Sequence, residues 1–147
     1  MSTERDTLVL IVDDDVNVLR GLTRALRHQP FQLLTARSAE DAQEILKRWL
    51  VDVVICDQNM PGTRGTELLA WIAEHSPRTA RIILTGQPDL KTAIEAINRG
   101  QVFRFLTKPC SDWDLVMAIH DALQAVRSSS TLASRRPITR LPESAAG

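Results

Sequence analysis

Hydrophobic positions along the chain follow two different spacings. Short, largely apolar runs, Leu8-Val9-Leu10-Ile11-Val12, Val53-Val54-Ile55-Cys56, Arg81-Ile82-Ile83-Leu84 and Val102-Phe103-Arg104-Phe105-Leu106, are separated by stretches whose apolar residues recur every three or four positions. Leu8–Val12 and Val53–Cys56 show no alternation, which suits strands covered on both faces. Phe31 to Thr35 predicts a further short strand. The helical stripes are Val18, Leu19, Leu22, Ala25 and Leu26; Ala42, Ile45, Leu46 and Trp49; Leu68, Leu69 and Ile72; Leu90, Ala93, Ile94 and Ile97; and Leu115, Ile119, Leu123 and Val126.

Punctuation supports these elements. Ser38 with Asp41, and Ser111 with Asp114, stand at capping-box spacing, Asp89 is a candidate N-cap, and Gly100 closes the fourth helix. A loop containing Pro61, Gly62 and Gly65 follows the third strand. Strand and helix thus alternate five times, and right-handed crossovers turn that order into an α/β fold: a five-stranded parallel sheet with helices on both faces.

The polar residues that end these strands carry the chemistry. Asp13-Asp14-Asp15 follows the first strand, Asp57 the third, Thr85 the fourth, and Lys108-Pro109 the fifth through Thr107. In a parallel sheet all of these fall on one edge, where doubly wound folds bind their ligands. Two carboxylates about 5 Å apart repel by roughly 3 kcal/mol at an effective dielectric of 20. Asp13, Asp14 and Asp57 together exceed what Lys108 can neutralise, and a divalent cation supplies the remainder. Carboxylate oxygens suit Mg²⁺, or Mn²⁺, better than zinc. An ionised carboxylate beside such a cation is itself a nucleophile towards phosphorus, with Thr85 and Lys108 placed to bind the transferred oxygens.

Composition narrows the alternatives. The chain has 147 residues, enough for one domain, with 44% hydrophobic and 24% charged residues. Its 18 basic and 18 acidic residues give no net charge, so the basic excess of a nucleic-acid-binding domain is missing. No apolar run approaches the ~20 residues that span a bilayer, and residues 1–7 are polar and expected to be disordered. Cys56 and Cys110 form no metal-ligand spacing and read as reduced thiols of a cytoplasmic protein, while His28, His75 and His120 are isolated. Residues 128–147, with five serines and two prolines, predict a flexible tail or linker after a domain spanning 8–127.

The segments Val12-Asp13-Asp14, Ile55-Cys56-Asp57-Gln58-Asn59-Met60-Pro61-Gly62, Leu84-Thr85-Gly86 and Phe105-Leu106-Thr107-Lys108-Pro109 resemble the receiver domain of bacterial two-component response regulators. The resemblance covers residues 8–127 and implies a flavodoxin-like sheet of order 2-1-3-4-5. It implies that Asp57 is the phosphoacceptor, served by a sensor histidine kinase or phosphotransfer protein. Mg²⁺ is then bound by Asp14, Asp57 and the main-chain carbonyl of Asn59, with Asp13 acting through a water. Thr85 becomes the switch hydroxyl, Lys108 the phosphate partner and Phe105 the rotating aromatic, and the Lys108-Pro109 bond is expected to be cis. Such a domain is a signalling module, not an enzyme, and changes the face made by its fourth helix, fifth strand and fifth helix. That face implies a homodimer or an output domain. Ala96-Ile97-Asn98-Arg99-Gly100 and Arg104-Phe105-Leu106 look most like receivers attached to ATPase-type transcriptional activators or to HD-GYP-type cyclic-di-nucleotide phosphodiesterases. Direct contact with nucleic acid or membrane is not expected.

Three departures stand out against the family pattern. Gly86 occupies a frequent alanine position, Phe105 lacks the hydroxyl of the common tyrosine, and Cys110 stands where an aromatic is often found. Two alternatives stay open from sequence: an adaptor that works without phosphorylation, and a haloacid-dehalogenase-like phosphohydrolase. Asp13-Asp14-Asp15-Val16-Asn17 misses the last position of the latter's motif.

Overall fold

A computed structural model describes residues 7–86 and 89–134, with side chains through residue 128. Five strands, β1 (Leu8–Val12), β2 (Gln32–Ala36), β3 (Val53–Asp57), β4 (Ala80–Thr85) and β5 (Arg104–Thr107), alternate with α1 (Val16–Leu26), α2 (Ala39–Arg48), α3 (Gly65–His75), α4 (Leu90–Glu95) and α5 (Asp112–Ser134). All strand pairs are parallel and the order is β2-β1-β3-β4-β5. The unbroken apolar runs are explained by position: β1 and β3 are buried along their whole length, whereas edge strand β2 is exposed at Gln32 and Thr35 and fully buried only at Ala36.

Two cores sandwich the sheet. Leu10, Val12, Val54, Cys56 and Ile83 face α2, α3 and the α4 segment. Val9, Ile11, Ile55, Ile82 and Leu84 face α1 and α5, meeting Leu19, Leu26, Leu115 and Ile119. Caps fix where the helices begin. Asp15 Oδ1 accepts from Asn17 N–H at 2.9 Å, Ser38 Oγ from Asp41 N–H at 3.1 Å, Asp89 Oδ1 from Thr92 N–H at 2.7 Å and Ser111 Oγ from Asp114 N–H at 3.0 Å.

The structure corrects four sequence expectations. The buried face of the fourth helix is not Leu90, Ala93, Ile94 and Ile97: Leu90, Ile94 and Ile97 are 76%, 48% and 60% exposed, and Thr92, Ala96 and Gly100 point inward. Small residues at every fourth position let this segment lie close on α3, where a Cβ on Gly100 would come within 3.1 Å of Leu69 Cβ. The Thr66 hydroxyl donates to Glu95 across the same contact at 3.3 Å. Trp49 is not part of the α2 stripe, because the helix ends at Arg48 and Trp49 turns outward. α5 runs through Ser134, beyond the expected boundary at 127; residues 135–147 lie outside the described residues. Thr7 is tied to the sheet, its carbonyl accepting from Gln32 N–H at 2.8 Å, while residues 1–6 lie outside the described ones.

Beyond Glu95 the helix widens into a π-helical turn, Ala96–Gly100, closed by Gln101 at φ 49°. Arg81 on β4 anchors this turn. Its buried guanidinium donates to the carbonyls of Gly100 at 2.8 Å, Gln101 at 3.4 Å, Thr79 at 2.7 Å and Pro77 at 3.3 Å. Among the described residues no carboxylate pairs with it; a cation satisfied in this way by carbonyls fixes backbone position.

Candidate functional site

Strand register assembles the site. Val12 pairs with Cys56, so Asp13 and Asp57, each one residue further on, emerge side by side. Asp57 pairs with Leu84, which puts Thr85 next along the rim, and Thr85 pairs with Thr107, which places Lys108. Carboxylate oxygens of Asp13, Asp14 and Asp57 lie within 4.8 Å of one another. Lys108 Nζ is 2.7 Å from Asp57 Oδ1 and 3.8 Å from Asp13 Oδ2. Asp15 is the exception among the three consecutive aspartates: its carboxylate caps α1 and is exposed.

Burial sharpens the electrostatics. Asp13 and Asp57 are buried and Asp14 half-buried. Desolvation holds the Asp13 carboxyl above its ordinary pKa, and Asp57 and Asp14 reinforce it. A hydrogen bond from Asp15 N–H at 2.9 Å and the charge of Lys108 oppose the rise. For Lys108, burial acts to lower the pKa, but Asp57, Asp13 and Asp14 outweigh it and the ammonium is held above its usual range. Burial, aided by Asp57 and Asp13, pushes the Cys56 thiol far upward, so this sulfur stays protonated and inert beside the Asp57 carboxylate.

The backbone around Asp57 is held from three sides. Gln58 N–H donates to the Leu84 carbonyl at 3.0 Å, and Gly65 N–H to the Gln58 carbonyl at 3.0 Å. Buried Gln58 Oε1 accepts from Thr66 N–H at 2.9 Å, tying the strand end to the first turn of α3. Gly65 permits that approach, since a Cβ there would collide with the Asp57 carbonyl oxygen and stand 2.8 Å from Gln58 Cα. Gln58, Gly65 and Thr66 carry no role in the sequence reading. A glycine eight residues after a strand-ending aspartate was the available signal, and it reads equally well as a turn residue.

The remaining predicted site residues distribute as follows. Thr85 is buried at the end of β4, and its carbonyl accepts from Lys108 N–H at 2.8 Å. Asn59 is exposed in the loop after β3. Phe105 is partly buried against the core that faces α2, α3 and α4. The Lys108–Pro109 peptide is cis. Gly86 is exposed, and a Cβ there would make ordinary contact with Lys108 Cδ at 3.8 Å. Cys110 is half-buried beside Asp114 and Asp112.

Asp57 Oδ1 is buried and, despite the near Lys108 ammonium, accepts no well-aligned hydrogen bond. Three converging carboxylates with the Lys108 ammonium beside them are the all-oxygen donor set of a hard divalent cation, and Mg²⁺ fits it. Residues 9–120 match the family model described as response regulator receiver domain.

The chain belongs to that family.

Among similar proteins, the hydrogenase transcriptional regulatory protein HoxA of Cupriavidus necator is 32% identical over 123 residues, covering 84% of this chain and 25% of HoxA. The signal receiver domain of an HD domain-containing protein from Pseudomonas fluorescens Pf-5 is 40% identical. It superposes with a TM-score of 0.82 over 84% of this chain and 99% of that one. The beryllofluoride-activated NtrC4 receiver domain dimer is 29% identical, with a TM-score of 0.75 over 81% and 98% of the two chains. The chain spans about a quarter of the length of the curated relatives it matches. As a receiver domain of two-component response regulators it is a signalling domain with the acidic cluster at which such domains bind Mg²⁺. No helix among the described residues is long and apolar enough to cross a membrane.

Proposed function

We propose that Asp57 accepts a phosphoryl group from the phosphohistidine of a sensor kinase or phosphotransfer protein. The observation that carries this reading is the convergence of three carboxylates within 4.8 Å, with Lys108 Nζ 2.7 Å from one of them. An Asp57 carboxylate oxygen forms a bond to phosphorus as the phosphorus–nitrogen bond breaks, and the electron pair leaves with the imidazole nitrogen. Lys108 is placed to follow the phosphoryl oxygens, and Thr85 stands at the next rim position to donate its hydroxyl to them. Asp14, Asp57 and the Asn59 carbonyl would hold Mg²⁺ directly, with Asp13 acting through water; when bound, the ion supplies charge stabilisation for phosphoryl transfer.

Phosphorylation then changes the α4-β5-α5 face. Leu90, Ile94, Ile97, Phe103 and Trp113 leave that side of the molecule rich in exposed apolar surface, which suits a homodimer or an output domain. HoxA is named a transcriptional regulatory protein and the Pseudomonas fluorescens protein an HD domain-containing protein, which supports an output domain of one of these two kinds. In this reading the phosphoaccepting domain comprises residues 8–127, with α5 continuing from it through Ser134, and works in the cytoplasm.

Incubation with acetyl phosphate and Mg²⁺ tests the proposal. The expected result is a single hydroxylamine-labile phosphoryl group per chain, mapped to Asp57 by mass spectrometry, lost with EDTA and absent from Asp57→Asn. Undiminished labelling of Asp57→Asn would refute the assignment.

A further inference from the structure

Away from the carboxylate pocket, the outer face of α1 meets the end of β2 in an open groove of about 420 Å³. Leu19 contributes to its floor, Thr35 offers a hydroxyl, and Arg20, Arg24 and Arg27 face Arg37 across it. No carboxylate lines the groove, and none of the four arginines forms an ion pair among the described residues.

Only part of this charge serves the fold: with Asp15 as its N-cap and Arg24 and Arg27 at its C-terminal end, α1 has the order that complements a helix dipole, as α2 does with Glu40 and Asp41 against Lys47 and Arg48. The dipole gives no reason for Arg20 or for Arg37 beyond β2. α1 carries arginines and no acidic residue at all, with Arg20 and Arg24 one turn apart, where like charges weaken a helix. The chain as a whole is neutral, so the excess is local. It is also bounded: exposed Glu40 and Asp41 follow Arg37 within one turn, and exposed Asp15 precedes α1.

We infer that this groove is a binding site for a small ligand with two or more phosphate groups, by class a nucleoside polyphosphate. Guanidinium forks match phosphate oxygens in pairs, and here they approach from two walls. A volume of about 420 Å³ falls in the range of small-molecule sites. Half-buried Val16 and the aliphatic stems of the arginines offer apolar surface for a base or sugar. The acidic borders favour a compact anion over an extended one, which would have to cross them. None of the residues of the acceptor pocket lines the groove, and the inference does not depend on phosphoacceptance at Asp57.

The test is calorimetric titration of the full chain with ATP and, separately, with inorganic triphosphate, in EDTA and at about 0.15 M salt. ATP is expected to bind saturably with Kd below about 1 mM and more tightly than triphosphate. The double variant Arg24→Ser/Arg37→Ser, altered only at exposed positions, is expected to bind ATP about tenfold more weakly or worse while its labelling by acetyl phosphate is unchanged. Absence of saturable binding, or equal affinity in wild type and double variant, would overturn the site. Equal affinity for the two probes would overturn the nucleoside assignment. Binding only to single-stranded oligonucleotides, tightening with length, would make the groove a nucleic-acid face and overturn the small-ligand inference.

Discussion

The rim of the sheet and the outer side of α4 both reverse the usual placement of side chains, in opposite senses. At the rim, Asp13, Asp57, Gln58 and Thr85 are buried. On α4 and the π-helical turn, Leu90, Ile94 and Ile97 are exposed while Thr92, Ala96 and Gly100 are covered. Neither arrangement adds to stability through the burial of large apolar surface. The rim is held by backbone: register between fully buried strands, the Gln58–Thr66 tie and the close approach of α3 at Gly65. The α4 segment is held by a short helix, small-residue contact and the Arg81 anchor. In the proposed function the rim is the acceptor and the α4 segment the reporter, the division of labour that a two-state switch requires.

If the rim depends on backbone approach, Gly65→Ala is its most damaging conservative change. The added methyl must displace the Asp57 carbonyl, at an expected cost of about 3 kcal/mol or more. Denaturant unfolding checks this, and a loss under about 0.5 kcal/mol would show that the approach can relax freely. Arg81→Met tests the reporter side. It leaves four carbonyls without their donor and is expected to cost about 2–3 kcal/mol, with hydrogen exchange rising chiefly in residues 96–103. Uniformly faster exchange across the sheet would mean that Arg81 supports the whole fold and not the reporter alone. The smallest effect on stability, within about 0.5 kcal/mol, is expected for Ile94→Ser with Ile97→Ser, since both side chains are exposed. The same pair should abolish any beryllofluoride-dependent increase in size in gel filtration; an intact dimer would place the interface elsewhere.

The two regions also differ in how far their arrangement is legible in the sequence. The rim follows from apolar runs that end in Asp57, Thr85 and Lys108, because in a parallel sheet every such end lies on one edge, whereas strand order is legible only through the family resemblance. The consecutive aspartates were less transparent: Asp13 and Asp14 join the cluster and Asp15 is a cap, a distinction made by one residue of backbone turn. The α4 stripe misled because helical periodicity reports where large apolar residues lie, not which face packs. Here the π-helical turn lies so close on α3 that it meets it with the small residues Ala96 and Gly100. Arg81 was hidden for a similar reason. Within an apolar run a single arginine reads as a strand residue near the surface, and its four carbonyl partners come from segments distant in sequence or otherwise featureless.

The dependence of the acceptor pocket on carboxylate crowding is tested most directly by calorimetric titration of the unphosphorylated chain with Mg²⁺. Saturable binding is expected in the wild type, weakened about tenfold or more in Asp14→Ala, a half-buried position whose loss leaves the sheet register intact. Equal Mg²⁺ affinity in the two proteins would contradict the claim that this cluster gathers the ion beside Asp57.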